Sequence, residues 1–480
     1  MSSTTTPAEL RSAFDRQRAA FAADPYPALA ARLRALASLR AVCAAISGKI
    51  GPALRADFGS HDRNIGLLWE LSGPLSRIQY AEQNLAAWLE PQDRGSEPDG
   101  GARCYVRYQP KGVVGNMAPW NFPVDISLGP LVDILAAGNR ALVKPSEHAP
   151  HCAELVRGAI AEHFDPSLVH VVTGGVELAE AFTLLPWDHL IYTGNPSVAR
   201  KVLSAAAANL VPVTLELGGK CPALIAPDRV NDDSLAEVLA VKAVKSGQVC
   251  INTDYMFVPR SELERVVSAL QRLWREQFPT FVSSPSATGI INAQHYQRLS
   301  GYLSEARARG VRVVVLGEER PDASRRVLPM HLVIDPPDDL ALMQEEIFGP
   351  ILPIKPYDSI DQAVAYVNAH ERPLALYVFT DDPALADDVL TRTTSGGACV
   401  NAIAVHSSLP SLPFGGIGHS GMGRHHGFEG FQTFSHARAV YRRGAVNPWE
   451  LMRPPWGETL AAVAQAVTGA PPEVDPGAKS

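Results

Sequence analysis

Apolar residues at positions 29, 33, 36, 39, 43 and 46 recur three or four apart, with Arg32, Arg34 and Arg40 between them. That is the spacing of a helix with one buried face, so the N-terminal region is expected to be helical. Beyond Gly112 the pattern changes to short, mostly apolar runs, at residues 113–117, 141–144, 169–172, 190–193 and 213–217, separated by helix-like stretches. Such runs read as strands of a parallel sheet covered on both faces. A second series follows at 256–258, 311–316, 332–334, 351–354, 376–379 and 398–401, with helical patterns at 261–275 and 294–309 between them. Two α/β lobes joined near residue 217 are expected. Segments 103–109 and 431–442 alternate and are β-prone, which marks them as a separate arm. The tail beyond Pro454, rich in Ala, Pro and Gly, is expected to be loosely ordered. No internal repeat is evident.

Composition narrows the function classes. A chain of 480 residues exceeds what one hydrophobic core supports, and its hydrophobic fraction of 46% and charged fraction of 19% are those of a globular protein. A net charge of −7 disfavours nucleic acid as a partner. The six cysteines form no C-x-x-C pair and no Cys/His cluster of ligand spacing, so no metal is expected and a reducing, cytoplasmic compartment fits best. The opening residues MSSTTTPAELRSAFDRQ carry no apolar h-region, and no run of 18 or more apolar residues occurs, so no membrane association is expected.

Two residues stand out chemically. Glu216 lies inside the apolar run VTLE, just before Gly218-Gly219-Lys220. A buried carboxyl is costly unless paired or protonated, and desolvation lifts its pKa toward the range of a general base. Alone, it fits a structural carboxylate bonded to backbone equally well. Cys250 ends SGQVC after a helical pattern that begins near Asp233. A thiolate is a strong nucleophile near neutral pH, but a lone cysteine is more often an inert buried residue.

Taken together, eight motifs change the balance. QPKGVVGNMAPWNFPV (109–124), AAGNRALVKPSE (136–147), YTGN (192–195), LVPVTLELGGK (210–220), SGQVC (246–250), MQEEIFGPILPI (343–354), RPLALYVF (372–379) and LPFGGIGHSGMGRHHGFEGFQTFSH (412–436) resemble the aldehyde dehydrogenase superfamily. Within it they resemble the class 3-like branch that includes coniferyl aldehyde dehydrogenases, over residues 30–457. The resemblance implies an α/β fold with a Rossmann-type NAD(P)-binding lobe (residues 1–100 and 113–217) and an α/β catalytic lobe (218–398). It also implies a bridging and oligomerising β-arm (101–112 and 399–446) before a C-terminal tail (447–480). It implies Cys250 as nucleophile, Glu216 as the base that hydrolyses a thioester, and Asn121 as the donor to an oxyanion shared with the Cys250 backbone N–H. Without its neighbours Asn121 would read as a turn residue before Phe-Pro.

The resemblance also implies that Trp120, Lys144, Ser146, Glu147, Gly194, Asn195, Gly218, Glu346 and Phe348 contact the cofactor. Lys144 and Glu147 fall to the adenosine ribose, and Glu346 to the nicotinamide ribose with Phe348 beside it. A carboxylate at 147 accepts from a ribose 2′-OH and repels a 2′-phosphate, so NAD is favoured; Lys144 leaves NADP open. An aldehyde, aromatic or medium-chain, is the expected substrate and a homodimer the expected assembly.

Two departures stand against the family pattern. The usual Gly-Ser-Thr-x-x-Gly phosphate turn is Gly194-Asn195-Pro196-Ser197-Val198-Ala199 here, and Ile251-Asn252 replaces Val-Ala-Pro after the cysteine. The first keeps alive a catalytically silent binding protein, against which Cys250, Glu216 and Asn121 argue. An acylating enzyme that passes the thioester to coenzyme A is disfavoured by the retained Glu216. The His425-His426 pair and the surrounding glycines are expected to be structural loop.

Overall fold

The arginine-interleaved segment forms the helix Leu29–Ser47, which buries Ala35, Leu36, Leu39, Val42, Cys43 and Ile46. Arg32 is buried with them because its guanidinium donates to the carbonyls of Pro27 and Ala136, both at 2.9 Å. The computed structural model describes residues 4–95, 101–447 and 449–471. They divide into a large unit, residues 1–88 and 109–436, and a small one, residues 89–108 and 437–480.

The strands run, in chain order, β1 (Gln92–Asp93), β2 (Arg103–Pro110), β3 (Val113–Met117), β4 (Arg140–Lys144), β5 (Val169–Val171), β6 (His189–Thr193), β7 (Val213–Glu216) and β8 (Pro222–Ile225). They continue with β9 (Tyr255–Pro259), β10 (Arg312–Val315), β11 (His331–Ile334), β12 (Ile351–Tyr357), β13 (Ala375–Phe379), β14 (Gly397–Val400), β15 (Gly421–Met422) and β16 (Ser435–Arg442). The large unit holds two sheets, one of six strands in the order β15-β7-β6-β3-β4-β5 and one of seven in the order β10-β11-β12-β9-β8-β13-β14.

Every residue of β3, β8, β9, β11 and β13 is buried, as parallel strands covered by helices on both faces require. Two edge strands depart from the all-parallel expectation. β10 and β11 are joined without a helix and pair antiparallel, since a parallel pair needs a crossover. β15 comes from the distant glycine-rich segment and pairs antiparallel with β7.

In the first sheet the chain moves outward from β3 through β4 to β5, then returns to lay β6 and β7 on the other side of β3. The carboxyl ends of β3 and β6 therefore flank a topological switch point, where open α/β sheets bind ligands.

In the small unit β1, β2 and β16 form a three-stranded sheet. The β-prone reading of 431–442 holds only for its second part. Residues 427–433 are helical (Gly427–Thr433), because Phe431 is drawn into the core with no exposure. The tail is also more ordered than its composition suggests, with a helix at Glu458–Thr468; alanine, the strongest helix former, outweighs the flanking Pro and Gly. Residues 96–100 and 472–480, which belonged to the expected cofactor lobe and tail, lie outside the described residues.

One buried ion pair ties the large unit together where the two sheets meet the expected site. Lys245 and Glu70, neither side chain exposed, are hydrogen-bonded to each other. Glu70 Oε2 also accepts the N–H groups of Val124 and Asp125, both at 3.0 Å, at the start of the helix Asp125–Ala136. Lys245 Nζ donates to the Asn121 carbonyl at 2.6 Å and lies 4.1 Å from the Phe122 ring centroid. Removing one member of such a pair strands the other charge. Lys245→Met is expected to lower the unfolding free energy in guanidinium titrations by about 3–5 kcal/mol, and the double variant with Glu70→Leu by much less. A loss below about 1 kcal/mol for the single variant would mean that the pair does not hold the fold.

Candidate active site

The helix Asp232–Ala243, capped by the Asn231 side chain, gives way to a tight turn in which Lys245 and Ser246 take left-handed φ values of 48° and 51°. Gly247 follows at φ 77°, and a Cβ there would sit 2.3 Å from the Gly349 carbonyl oxygen, so the two backbones cross in contact. Buried Gln248 then anchors the segment. Its amide donates to the carbonyls of Lys245 and Gly289 at 2.9 and 3.0 Å, and its oxygen accepts from Ile291 N–H at 3.0 Å.

Two residues on stands Cys250, neither fully buried nor fully exposed. Its carbonyl oxygen lies 3.5 Å from Cys221 Sγ. The protein packed around the thiol, then the Glu346 and Glu216 carboxyls, push it up to about 12. At neutral pH the resting side chain is a thiol.

Asn121 is brought to this turn from the loop after β3. It is buried, its side-chain nitrogen donates to the Gln248 carbonyl at 3.3 Å, and Lys245 holds its own carbonyl. Glu216 ends β7, with its backbone carbonyl accepting from Gly194 N–H at 2.9 Å. Its side chain is buried, and neither carboxyl oxygen has a hydrogen-bond partner. Burial alone raises its pKa well above the usual carboxylate range.

Glu346 completes the group. A Cβ on Gly218 would fall 2.1 Å from its Oε2, so only glycine leaves room for this carboxyl, which burial and then Asp254 raise to about 8. Lys220 fixes the surrounding frame by bonding Asp254 and the carbonyls of Leu342 and Glu345.

The expected cofactor residues fall beside the switch point. Lys144 ends β4, nearly buried, and bonds Glu147 Oε2 at 3.1 Å. Burial pushes Glu147 up, but Lys144, the Glu147 backbone N–H and His148 together more than reverse it, and the carboxylate stays below its ordinary range. Ser146 Oγ accepts from His148 N–H at 3.2 Å. Trp120 packs edge-on to Phe348, whose backbone is left-handed at φ 50°, with ring centroids 5.3 Å apart.

Gly194 and Asn195 form the turn into the helix Pro196–Ala207. Asn195 caps that helix, its oxygen accepting from Val198 N–H at 3.0 Å and Ser197 Oγ at 2.7 Å, so its amide hydrogens are the part left to meet a phosphate. Ala199 is buried among the core of the first sheet, so the extra methyl packs inward. The exposed cap, the free helix N-terminus and the Lys144–Glu147 pair fit a dinucleotide.

Cys250, Glu216, Asn121, Glu346 and Gly218 thus converge, while Lys144, Ser146, Glu147, Gly194 and Asn195 gather at the ends of β4 and β6. Three contributors were not legible in the sequence. Lys245 and Glu70 are far apart along the chain, and Tyr192, whose hydroxyl would lie 2.1 Å from a Cβ on Gly194, gave no signal beyond its motif. His425, expected to be loop structure, is buried with Nε2 at 3.9 Å from Glu216 Oε1.

Below its pKa a thiol's reactive fraction rises tenfold per pH unit. Iodoacetamide labelling of Cys250 in the cofactor-free protein, read by peptide mass spectrometry, is therefore expected to keep climbing from pH 7 to roughly pH 10. Levelling near the ordinary value of about 8.5 would show that burial and the two carboxyls do not control the thiol.

A family model described as "Aldehyde dehydrogenase family" matches residues 3–440. A coniferyl aldehyde dehydrogenase of Pseudomonas sp. is 40% identical over 94% of this chain and 95% of its own length. The dimeric NADP-preferring aldehyde dehydrogenase of Canis lupus familiaris is 34% identical over 90% of this chain and 94% of its own. A solved structure of Staphylococcus aureus AldH in a substrate-bound state superposes with a TM-score of 0.89 at 31% identity, covering 95% of this chain and 99% of that one. A Mycobacterium tuberculosis aldehyde dehydrogenase complexed with NAD+ superposes with a TM-score of 0.83 at 27% identity, covering 92% of both chains.

Proposed function

The chain belongs to the aldehyde dehydrogenase family and is an NAD(P)-dependent aldehyde dehydrogenase; from that premise we propose that it oxidises an aromatic aldehyde to the carboxylic acid, with Cys250, Asn121 and Glu216 carrying the chemistry. The observation that carries this is the convergence, on one partly open thiol, of a carboxyl with no partner and a carboxamide fixed from behind. The aromatic preference rests on the surroundings. Trp69 stacks on Phe122 at 6.2 Å, and Trp69, Ile126 and Phe414 pack on the same apolar cluster as Cys250. Flat aromatic walls suit a flat conjugated substrate, and the Pseudomonas relative is named for coniferyl aldehyde.

The Cys250 sulfur, once deprotonated, attacks the aldehyde carbon, and the carbonyl oxygen becomes an oxyanion. Asn121 Nδ2 carries two hydrogens and Gln248 accepts one, which leaves the other for that oxygen, alongside the Cys250 backbone N–H. Trp120, Lys144, Ser146, Glu147, Gly194, Asn195, Gly218, Glu346 and Phe348 would hold the dinucleotide, which when bound supplies the hydride acceptor. Glu216 then takes a proton from water as its oxygen adds to the Cys250 thioester; the carbon–sulfur bond breaks, and the acid leaves. Glu147 favours NAD, because its carboxylate repels a 2′-phosphate. The assembly proposed is a homodimer; the Canis lupus familiaris relative is named as dimeric.

Cys250→Ala is expected to abolish steady-state NADH formation while cofactor still binds; turnover by the purified variant would remove Cys250 from its role. Glu216→Gln should leave the first half-reaction largely intact. Stopped-flow mixing with NAD and excess benzaldehyde is expected to give up to one equivalent of NADH rapidly, then a phase slowed by about 10²-fold or more. Glu147→Gln should raise kcat/KM for NADP relative to NAD by roughly tenfold, and an unchanged ratio would assign the preference elsewhere.

A further inference from the structure

Hydrolysis needs Glu216 as a carboxylate, yet its surroundings favour the protonated form and offer its oxygens no hydrogen bond. A base so placed must hand its proton on. The glycine-rich segment brings the means: β15 lies along β7 with Gly421 opposite Glu216, and the Phe414–His425 bridge closes the segment behind it. Glycine is needed at 421, where φ is 149° and a Cβ would meet the Leu215 carbonyl oxygen at 2.3 Å.

His425 Nε2 thereby lies 3.9 Å from Glu216 Oε1, and its Nδ1, which has no hydrogen-bond partner, lies 4.0 Å from Asp133 Oδ2. Asp133 is held in turn by His426 N–H at 3.0 Å and by Gly430, where a Cβ would fall 2.5 Å from the carboxyl. Glu216, His425 and Asp133 are 3%, 6% and 2% exposed, so solvent does not compete for their protons. Shifts of about 1 Å bring both gaps to hydrogen-bond length.

We infer that His425 relays the Glu216 proton to Asp133 and so readies the base for thioester hydrolysis, a role that rests on Glu216 being that base. Glu216 gives its proton to Nε2 while Nδ1 gives its own to the Asp133 carboxylate, so the ring changes tautomer and stays neutral. Glu216 then accepts a proton from water as the hydroxyl oxygen adds to the thioester carbon, and the carbon–sulfur bond breaks to release the Cys250 thiolate. That thiolate is reprotonated by Glu216, and the proton on Asp133 returns through His425 to Glu216.

The charged and titratable groups facing the ring are Glu216, Asp133, Arg77 and His426, with Phe414 packed edge-on at 5.6 Å. Burial and then Arg77 hold His425 down to about 3, which forbids a resting imidazolium and favours the paired transfer; burial lifts Asp133 to about 7, making it a competent acceptor.

The test is stopped-flow NADH formation by His425→Gln with NAD and benzaldehyde, alongside wild type and Glu216→Gln. A glutamine can hydrogen-bond to Glu216 but cannot pass a proton through. The expected result is a hydride burst within about twofold of wild type, a steady phase slowed by about tenfold or more with its pH profile moved to higher pH, and acyl adduct on Cys250 by mass spectrometry. Asp133→Asn, which removes the acceptor, should show the same split and serves if His425→Gln does not fold. Burst and steady phase falling together, or neither changing, would overturn the relay. A normal His425→Gln beside a Glu216→Gln that stalls after its burst would sink the relay alone; a normal Glu216→Gln would sink the base itself.

Discussion

Lys245 and Glu70 face each other where water does not reach, and the placement of the turn before Cys250 depends on them. An ion moved into a protein interior costs several kcal/mol, so the pair depends on the further bonds that each partner makes. Glu70 meets two N–H groups at a helix start, where the helix dipole favours a negative charge. Lys245 meets the Asn121 carbonyl and an aromatic face. One interaction thereby fixes the long helix Arg63–Leu89, the loop after β3 and the turn before Cys250. The left-handed backbone of Lys245 and Ser246, costly for residues with side chains, is held by the same bonds.

Electrostatically the site is crowded with acids. Glu346 and Glu216 lie near Cys250 and Asp254 lies near Glu346, and of these three acids only Asp254 has a cation, Lys220, bonded to it. Burial lifts the thiol, Glu216 and Glu346, and neighbouring carboxyls add to the effect on the thiol and on Glu346, so all three favour their neutral forms at rest and charge appears only as a reaction proceeds. In a low-dielectric cleft that is an advantage, because each charge formed is stabilised by dipoles already in place rather than by water that must reorganise.

The strands of both sheets were largely legible, because a strand covered on both faces is mostly apolar, as the run 376–379 within β13 is. β8 was missed: it opens with Pro222, one residue after Gly-Gly-Lys, where the sequence resembles a continuing turn. β15 was beyond reach, since two residues among glycines carry no period, and only the pairing with β7 makes them a strand. The motifs located Cys250, Glu216 and Asn121, but the groups that hold them come from distant segments. Glu70 reads as one more charge on an amphipathic helix, and His425 as a neighbour of glycines. A sequence shows which residues are unusual for their surroundings; it does not show which surroundings the fold will bring.

The crossing of Gly247 over Gly349 sets the spacing between the cysteine turn and the Glu346 segment by the contact of two main chains, with no side chain between them. Side-chain substitution cannot shorten that spacing, and a carbon added at 247 would meet the Gly349 carbonyl oxygen and force the two segments apart. The stack of Trp69 on Phe122 is built instead from side chains, each of which can change alone. A spacing set by main chain is therefore inherited whole, whereas one set by side chains can drift residue by residue.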